Sequence, residues 1–181
     1  MKISSLKNFI YSLTKGALLK ALFLMIALSA NGQTFKLFEP VSPKKSGIVF
    51  KNSITENREH NALTYENLYN GGGVAVGDIN NDGLEDIFFV SNMEYNKLYL
   101  NTGDFKFRDI TESAGVKGRT GWKSGVTMVD INGDNLLDIY VCHSGKDSPE
   151  NRRNELFINK GNMKFEEMAK NYGSTILPIP Q

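Results

Sequence analysis

The fold is decided by residues 71–90, which read GGGVAVGDINNDGLEDIFFV. In a calcium loop, oxygen ligands come from positions 1, 3, 5, 7 and 9, with position 7 offering its backbone carbonyl. In this stretch those positions are Asp78, Asn80, Asp82, Leu84 and Asp86. Gly83 lets the chain curl tightly, because a residue without Cβ takes positive φ at little cost. The spacing therefore predicts a loop that binds Ca²⁺.

The residues on either side of this loop indicate strands rather than helices. GVAVG and DIFFV are short, apolar, β-rich runs bounded by turn residues. An EF-hand needs flanking helices and a Glu at position 12, where this chain has Phe89. A dockerin-like module also follows its loops with helices, which DIFFV does not favour. The pattern predicts a strand–calcium loop–strand unit.

A second copy of the unit follows 52 residues later. Its five predicted ligands are Asp130, Asn132, Asp134, Leu136 and Asp138. Further on, NELFINKGNMKF repeats NKLYLNTGDFKF at a spacing of 58, so the second copy carries a six-residue insertion within residues 144–153. Two copies at a fixed spacing favour metal binding over an Asx-rich turn that alternates by chance. A period near fifty residues is typical of propeller blades.

Each copy is predicted to contain four strands. They fall at residues 74–77, 87–90, 97–101 and 105–110, and then at 126–129, 139–142, 155–159 and 164–168. The first two strands of each copy are apolar on successive residues, which predicts burial on both faces. The third and fourth alternate more, which predicts one solvent-facing side. We therefore predict an all-β chain with two four-stranded blades of a partial β-propeller, and a calcium loop between the first two strands of each blade.

These residues resemble a known family. GGGVAVGDINNDGLEDIFF and the later NKLYLNTGDFKFRDITESAGV are similar to the FG-GAP/VCBS repeat of the ASPIC/UnbV (cartilage acidic protein-like) type, over residues 68–173. The resemblance implies a calcium-binding β-propeller on secreted or surface proteins such as integrin α chains and bacterial adhesins. Asn135 departs from the motif, which has Gly there. Because Asn tolerates left-handed φ, we expect the second loop to form and to bind calcium more weakly.

The N-terminus is predicted to be a secretory signal. A lysine-rich leader precedes the apolar run ALFLMIALSA at residues 21–30, and Ala30 and Gly32 suit cleavage before Gln33. A membrane anchor is the alternative, but the apolar run is well short of the about 20 residues that span a bilayer. The predicted divisions are a signal peptide at 1–32, a linker and outer strand at 33–70 with a candidate strand at 47–51, blades at 71–121 and 122–173, and a tail at 174–181.

Charge and cysteine content exclude several functions. The 181 residues carry a formal net charge of +1, which does not favour a nucleic-acid partner. Cys142 is the single cysteine and is expected to be a small core residue. Its neighbour His143 would point to the opposite face of a strand, so the two do not form a nucleophile–base pair. Asp78 and Asp82 could be taken for a glycosidase acid–base pair, but the metal pattern accounts for both.

The function predicted from these observations is a calcium-stabilised scaffold that is exported and binds a protein or glycan at the cell surface or outside the cell. It is predicted not to be an enzyme and to keep no membrane span after signal cleavage. The alternative is part of a propeller-type carbohydrate-active enzyme whose catalytic residues lie elsewhere. Two blades can neither close a ring nor cover both outer faces, so we expect a fragment of a longer protein, further blades or self-association.

Overall fold

The computed structural model describes residues 36–58, 60–145 and 148–173, so the predicted signal peptide and tail lie outside the described residues. The chain divides into two compact units, residues 1–40 and 41–181. Of the first unit only residues 36–40 are described, and they are exposed and contain no helix or strand. In the described parts of the chain, no helix has the length and apolar character needed to cross a membrane.

The second unit contains two four-stranded antiparallel sheets, which are the two predicted blades. The first blade consists of β1 Gly73–Gly77, β2 Asp86–Val90, β3 Lys97–Asn101 and β4 Phe107–Asp109. The second consists of β5 Lys123–Val129, β6 Asp138–His143, β7 Glu155–Asn159 and β8 Phe165–Glu167. In both sheets the strands lie in sequence order. Two one-turn helices, α1 Pro43–Ser46 and α2 Thr111–Ala114, precede and follow the first sheet. The predicted all-β fold class is confirmed.

The strand register brings both acidic loops to the same end of the blades. Gly77 pairs with Asp86 at the last step of the β1–β2 ladder, and Val129 pairs with Asp138 at the last step of β5–β6. Each loop therefore connects the ends of two directly paired strands. The opposite end of each blade holds the β2–β3 and β6–β7 connections.

The core lies between the two sheets. Phe88 and Leu98 of the first blade and Ile139, Val141 and Phe157 of the second belong to one buried cluster. Close approach of β1 and β5 depends on a glycine. A Cβ added to Gly73 would lie 3.1 Å from the Cα of Gly125, which is closer than ordinary van der Waals contact.

Burial of the strands differs from the prediction. β7 is buried at all five positions and β3 at its three central positions, whereas β1 exposes Val74 and Val76. The reason is that β1 is an edge strand with only one face against the other blade. The third strand of each blade is covered on both faces, with Leu156 and Ile158 of β7 packed against Ala169 on the side away from the first blade.

Residues 47–51, a candidate strand in the sequence, form no strand. Gly47 ends α1 with φ 77°, and the chain then crosses the first blade on the face that points away from the second. There the ring of Phe50 stacks on Phe89 with centroids 4.6 Å apart. The backbone N–H of Val49 donates to the Tyr99 hydroxyl at 3.3 Å. This segment covers part of the sheet face with side chains instead of pairing with an edge, so the prediction of a strand here was wrong.

Candidate metal centre

The first acidic loop is closed by hydrogen bonds to its first residue. The Asp78 carboxylate accepts from the N–H groups of Asp82 at 3.1 Å and Gly83 at 2.7 Å. Asp82 in turn accepts from the N–H of Leu84 at 2.8 Å. Asn81 and Gly83 take positive φ, 58° and 84°, and these two residues supply the curl that the sequence predicted at Gly83 alone.

The second loop repeats this arrangement. Asp130 accepts from the N–H groups of Gly133 at 2.7 Å and Asn135 at 2.9 Å. Asp134 accepts from the N–H of Leu136 at 2.9 Å. Asn135 has φ 64°, the left-handed conformation that is favourable for the glycine of the motif and tolerated by asparagine. The loop forms despite the substitution.

Asp86 and Asp138, at position 9 of the loops, have a role that the sequence reading missed. Both side chains are fully buried. Asp86 accepts from the N–H of Ile79 at 3.1 Å and from the N–H of Asn101, at the end of β3, at 2.7 Å. Asp138 accepts from Ile131 at 3.1 Å and from the N–H of Asn159, at the end of β7, at 2.8 Å. Each aspartate therefore ties its loop to the third strand of its blade.

The signal for this role was present in the sequence. Asn101 and Asn159 occupy equivalent places, 58 residues apart, in NKLYLN and NELFIN. A repeated polar residue at the end of an apolar strand indicates a partner that repeats with it. The amide side chain of Asn101 also donates to the carbonyl of Glu85 at 2.9 Å, so this position holds the loop through two contacts.

The pKa values of the loop aspartates are shifted in different directions. Burial raises the pKa of Asp86 above its usual value, and the neighbouring charges of Asp82 and Asp78 raise it further, against the opposing effect of its amide bonds. Burial also acts to raise the pKa of Asp78, but hydrogen bonds from the loop N–H groups outweigh it and the pKa lies below its usual value. The pKa of Asp130 is lowered chiefly by the N–H of Asn135.

Among the predicted ligands, Asn80 has the side-chain oxygen that best suits a bound cation. Its Nδ2 donates to Asp82 at 2.9 Å, while its Oδ1 is buried and has no hydrogen-bond partner in the described part of the chain. The equivalent Asn132 Oδ1 accepts from the N–H of Asp134 at 3.0 Å. An unpaired buried oxygen is costly, and beside two carboxylates it suits a hard cation such as Ca²⁺.

The predicted carboxylate ligands do not form a single shell. Among the residues that the structure describes, no three His, Cys, Asp or Glu side chains are grouped so that they could hold a metal ion. The reason is visible in the first loop, where Asp78 and Asp82 turn to loop N–H groups and Asp86 turns to Ile79 and Asn101. The loops carry the carboxylate and amide oxygens that suit calcium, and their carboxylates accept hydrogen bonds from backbone N–H groups.

The two loops contact each other across the blades. The side-chain amide of Asn81 donates to the carbonyl of Asn135 at 3.1 Å. The side-chain amide of Asn159 donates both to Leu137 O at 3.2 Å and, across the interface, to Ile79 O at 2.9 Å. The acidic loops therefore form one continuous surface at this end of the blades.

A second polar cluster, which the sequence did not reveal, lies at the opposite end. Glu155 is buried, and its carboxylate contacts His143 Nε2 at 2.8 Å and accepts from the backbone N–H of Arg119 at 3.0 Å. Burial acts to raise the pKa of Glu155, but His143 and Arg119 lower it below its usual value. His143 is buried at the end of β6, where it pairs with this glutamate from twelve residues later in the chain.

Lys123 completes this cluster and joins the blades. Its side chain is fully buried, and Nζ donates at 2.7 Å to the carbonyls of Glu94 in the first blade and Arg119 in the crossover. Burial lowers the pKa of Lys123 to about 8. Burial also raises the pKa of the Cys142 thiol, which disfavours the nucleophilic thiolate.

Sheets of four antiparallel strands with an acidic loop between the first two define blades of the FG-GAP type. A family profile described as FG-GAP-like repeat matches residues 78–141, from the first loop into β6. Residues 78–141 therefore carry an FG-GAP-like repeat, in agreement with the sequence resemblance.

Two relatives are similar to the chain over more residues than the repeat profile matches. The chain is 31% identical to cartilage acidic protein 1 of Xenopus tropicalis over 160 residues, which are 85% of this chain and 23% of the relative. It is 40% identical to human cartilage acidic protein 1 over 72 residues, which are 39% of this chain and 11% of the relative. The chain thus spans less than a quarter of the length of these curated relatives.

Proposed function

We propose that this protein is an exported, calcium-stabilised scaffold that binds a protein or glycan at the cell surface or outside the cell. The observation that carries the proposal is the repetition of one acidic loop, in the same place, in both blades. Each loop presents the same alternation of carboxylate and amide oxygens between its first two strands. Burial raises the pKa of Asp86, and the charges of Asp82 and Asp78 raise it further. A bound cation would relieve the repulsion between these carboxylates.

Calcium is the ion that suits these loops. Ca²⁺ takes six to eight oxygen ligands, whereas Mg²⁺ keeps several waters and seldom occupies an all-protein cage. The residues that would hold it are Asp78, Asn80, Asp82, Leu84 and Asp86 in the first loop and Asp130, Asn132, Asp134, Leu136 and Asp138 in the second. Without a bidentate Glu, we expect affinity at the weak extracellular end, on the order of 10⁻⁴–10⁻³ M.

Calorimetric titration of calcium into the chelator-treated protein tests this proposal. Two sites are expected in the wild type, and Asp82→Ala and Asp134→Ala should each remove one. Glu85→Ala is the matched control, because it deletes an acidic side chain from the same loop at a position that is not a predicted ligand. Absence of calcium binding by the wild type at millimolar concentration, or equal loss in the control, would contradict the proposal.

Export is proposed from the leader. The basic residues and the apolar run at 21–30 suit cleavage before Gln33. Intact-mass measurement of protein recovered outside the cytoplasm should give a chain that begins near Gln33. A protein that keeps Met1 and stays in the cytoplasm would contradict export.

We infer a binding role rather than a catalytic one. Glu155, His143 and Lys123 are buried outside the loops and are engaged in contacts with one another or with the crossover between the blades. In the described part of the chain these three do not place a nucleophile and a base at a common point, which nucleophilic catalysis requires. Binding partners can be sought in calcium with glycan arrays and pull-downs, and any glycan that binds can then be assayed for hydrolysis. Binding without hydrolysis would support a scaffold, whereas hydrolysis of the bound glycan would support a carbohydrate-active enzyme.

A further inference from the structure

The two acidic loops differ in one pair of residues that decides their chemical stability. The second loop has Asn132 followed by Gly133, where the first has Asn80 followed by Asn81. An asparagine that precedes glycine is the one most prone to spontaneous deamidation, because glycine has no Cβ to obstruct the approach of its backbone nitrogen to the preceding side chain. The repeat therefore provides a reactive pair and a less reactive pair at the same place in two similar loops.

The side-chain amide of Asn132 is accessible and is polarised by a hydrogen bond. Asn132 is exposed, whereas Asn80 is half-buried. The Oδ1 of Asn132 accepts from the N–H of Asp134 at 3.0 Å, which is an Asx turn that folds the side chain back over the peptide that follows it. The same N–H would stabilise the oxyanion that forms when the amide carbon is attacked. Asn80 lacks this bond, because its Oδ1 has no partner among the described residues.

The backbone nitrogen of Gly133 is the nucleophile in this reaction. Gly133 is exposed, so water reaches its peptide. Its N–H donates to Asp130 Oδ1 at 2.7 Å, which fixes the orientation of the peptide that carries the nitrogen. In the first loop the equivalent residue is Asn81, which takes a similar left-handed conformation, φ 58° against 77° for Gly133. The two loops therefore share a backbone shape here, and they differ in the side chain beside the nitrogen.

We propose that Asn132 is a site of spontaneous deamidation in the second acidic loop. The Gly133 nitrogen attacks Cγ of Asn132, and its proton passes to water as the new N–C bond forms. The bond from Cγ to Nδ2 then breaks, and the amide nitrogen takes up a proton from water and leaves as ammonia. The product is a cyclic succinimide. A water molecule opens the ring at either carbonyl and leaves an aspartate or an isoaspartate at position 132.

Both products change the second loop. The Nδ2 of Asn132 donates to Asp134 at 2.9 Å, whereas a carboxylate in its place has no N–H to donate and is repelled by that aspartate. An isoaspartate also routes the main chain through the side-chain methylene, which lengthens the loop after its first ligand position. The hydrogen bonds by which Gly133 and Asn135 close the loop on Asp130 depend on that length. Isoaspartate should therefore disrupt the loop more than aspartate does.

An effect of calcium on this site rests on the proposed function. Asn132 is a predicted ligand, so a bound ion would hold its Oδ1 and restrict the rotation that brings Cγ to the Gly133 nitrogen. Deamidation should then be slower in calcium than in chelator. The isoaspartate form should keep calcium binding at the first loop and lose it at the second. A protein kept without calcium would thus lose its second site progressively, while the first site persists.

Peptide mapping by mass spectrometry after incubation at mildly alkaline pH tests the proposal. The full chain is incubated in calcium and in chelator, and the loss of amide is followed at each asparagine. In chelator, Asn132 should deamidate at least about tenfold faster than Asn80, a difference of about 1.4 kcal/mol in activation free energy. Asn70, which precedes Gly71 and is exposed outside the loops, is the internal reference, and its rate should be the same in calcium and in chelator.

Gly133→Asn gives the second loop the residue pair of the first and is the matched variant. Because asparagine takes positive φ at this place in the first loop, the variant should melt like the wild type, and Asn132 should deamidate at least about tenfold more slowly in it. The comparison of Asn132 with Asn80 in the wild type needs no variant. An Asn132 that deamidates no faster than Asn80, or equally fast in Gly133→Asn, would overturn the proposal. Fast deamidation of Asn132 at equal rates in calcium and in chelator would support the deamidation site and contradict calcium binding at this loop.

Discussion

Replacing Asp82 and Asp86 separately should distinguish the stability that calcium supplies from the stability that the hydrogen bonds of the buried Asp86 supply. Asp86→Ala leaves the buried N–H groups of Ile79 and Asn101 without their acceptor. An unsatisfied buried group costs about 1–3 kcal/mol, so the loss in chelator should be about 2–6 kcal/mol for the two groups. In calcium the loss should be larger, because Asp86 is also a predicted ligand. Asp82 accepts from Leu84 and Asn80 at an exposed site, and its removal in chelator should cost about 1 kcal/mol or less.

In calcium, part of the stability of the folded protein should come from the bound ion, and this part should depend on Asp82. A ligand at a hundredfold excess over its Kd stabilises the folded state by about 2.7 kcal/mol. Asp82→Ala should lose the share of this gain that the first loop supplies, and Glu85→Ala should keep it. The measurement is urea unfolding of the wild type and the three variants, in calcium and in chelator at matched ionic strength. The reasoning fails if the wild type gains no stability from calcium, or if Asp82→Ala and Asp86→Ala lose equal stability in chelator.

Three further predictions concern the blade interface. The pKa of Lys123 is about 8 in the folded protein against 10.5 when exposed, so the unfolded state binds more protons between these values and stability should rise with pH there; urea unfolding should show this rise in the wild type and not in Lys123→Met. Glu155→Gln should cost about 3 kcal/mol by leaving its buried partners unpaired. Because the folded pKa of Glu155 is lowered, the wild type should lose this advantage as pH falls through that pKa, as acid unfolding of both proteins would show. Gly73→Ala should cost about 1–3 kcal/mol by overpacking against Gly125, measured by thermal melts in which Gly125→Ala stays within about 0.5 kcal/mol of the wild type.

Each of these predictions has an outcome that contradicts it. Equal pH slopes in the wild type and Lys123→Met would mean that the ammonium is not desolvated. A Glu155→Gln protein as stable as the wild type at neutral pH would mean that the cluster does not hold the crossover. Equal melting temperatures for Gly73→Ala and Gly125→Ala would mean that β1 and β5 approach less closely than described.

The sequence predicted the strands well and their environments less well. All eight strands occur where periodicity and turn residues placed them, with ends that differ by up to three residues. Burial was misjudged because apolar runs such as GVAV report that a strand is hydrophobic and not which neighbour covers it. Val74 and Val76 are exposed because no described strand lies against their face, and the composition of a strand does not report what packs on it. Residues 47–51 have the composition of a strand but lie across the face of β2 and β3, where Phe50 stacks on Phe89.

For the candidate site, the loop positions could be predicted and the contacts of individual residues could not. Spacing alone placed Asp78 and Asp130 at the first ligand position of each loop, but it did not predict the hydrogen bonds by which each loop closes on them. It assigned Asp86 only a ligand role, because a linear motif does not reveal that β3 ends beside the loop. The pairing of His143 with Glu155 was invisible for the same reason, since the six-residue insertion lies between them and only the β6–β7 pairing brings them together.

The contact between the two acidic loops has a consequence for the calcium binding that we propose. Asn81 of the first loop donates to the carbonyl of Asn135 in the second, so a change in the shape of either loop is felt by the other. Thermodynamic linkage requires the effect to be reciprocal: whatever factor an ion in the first loop applies to affinity in the second, an ion in the second applies to the first. The two loops would then respond to calcium as a coupled pair, with a binding curve whose steepness depends on one side-chain amide.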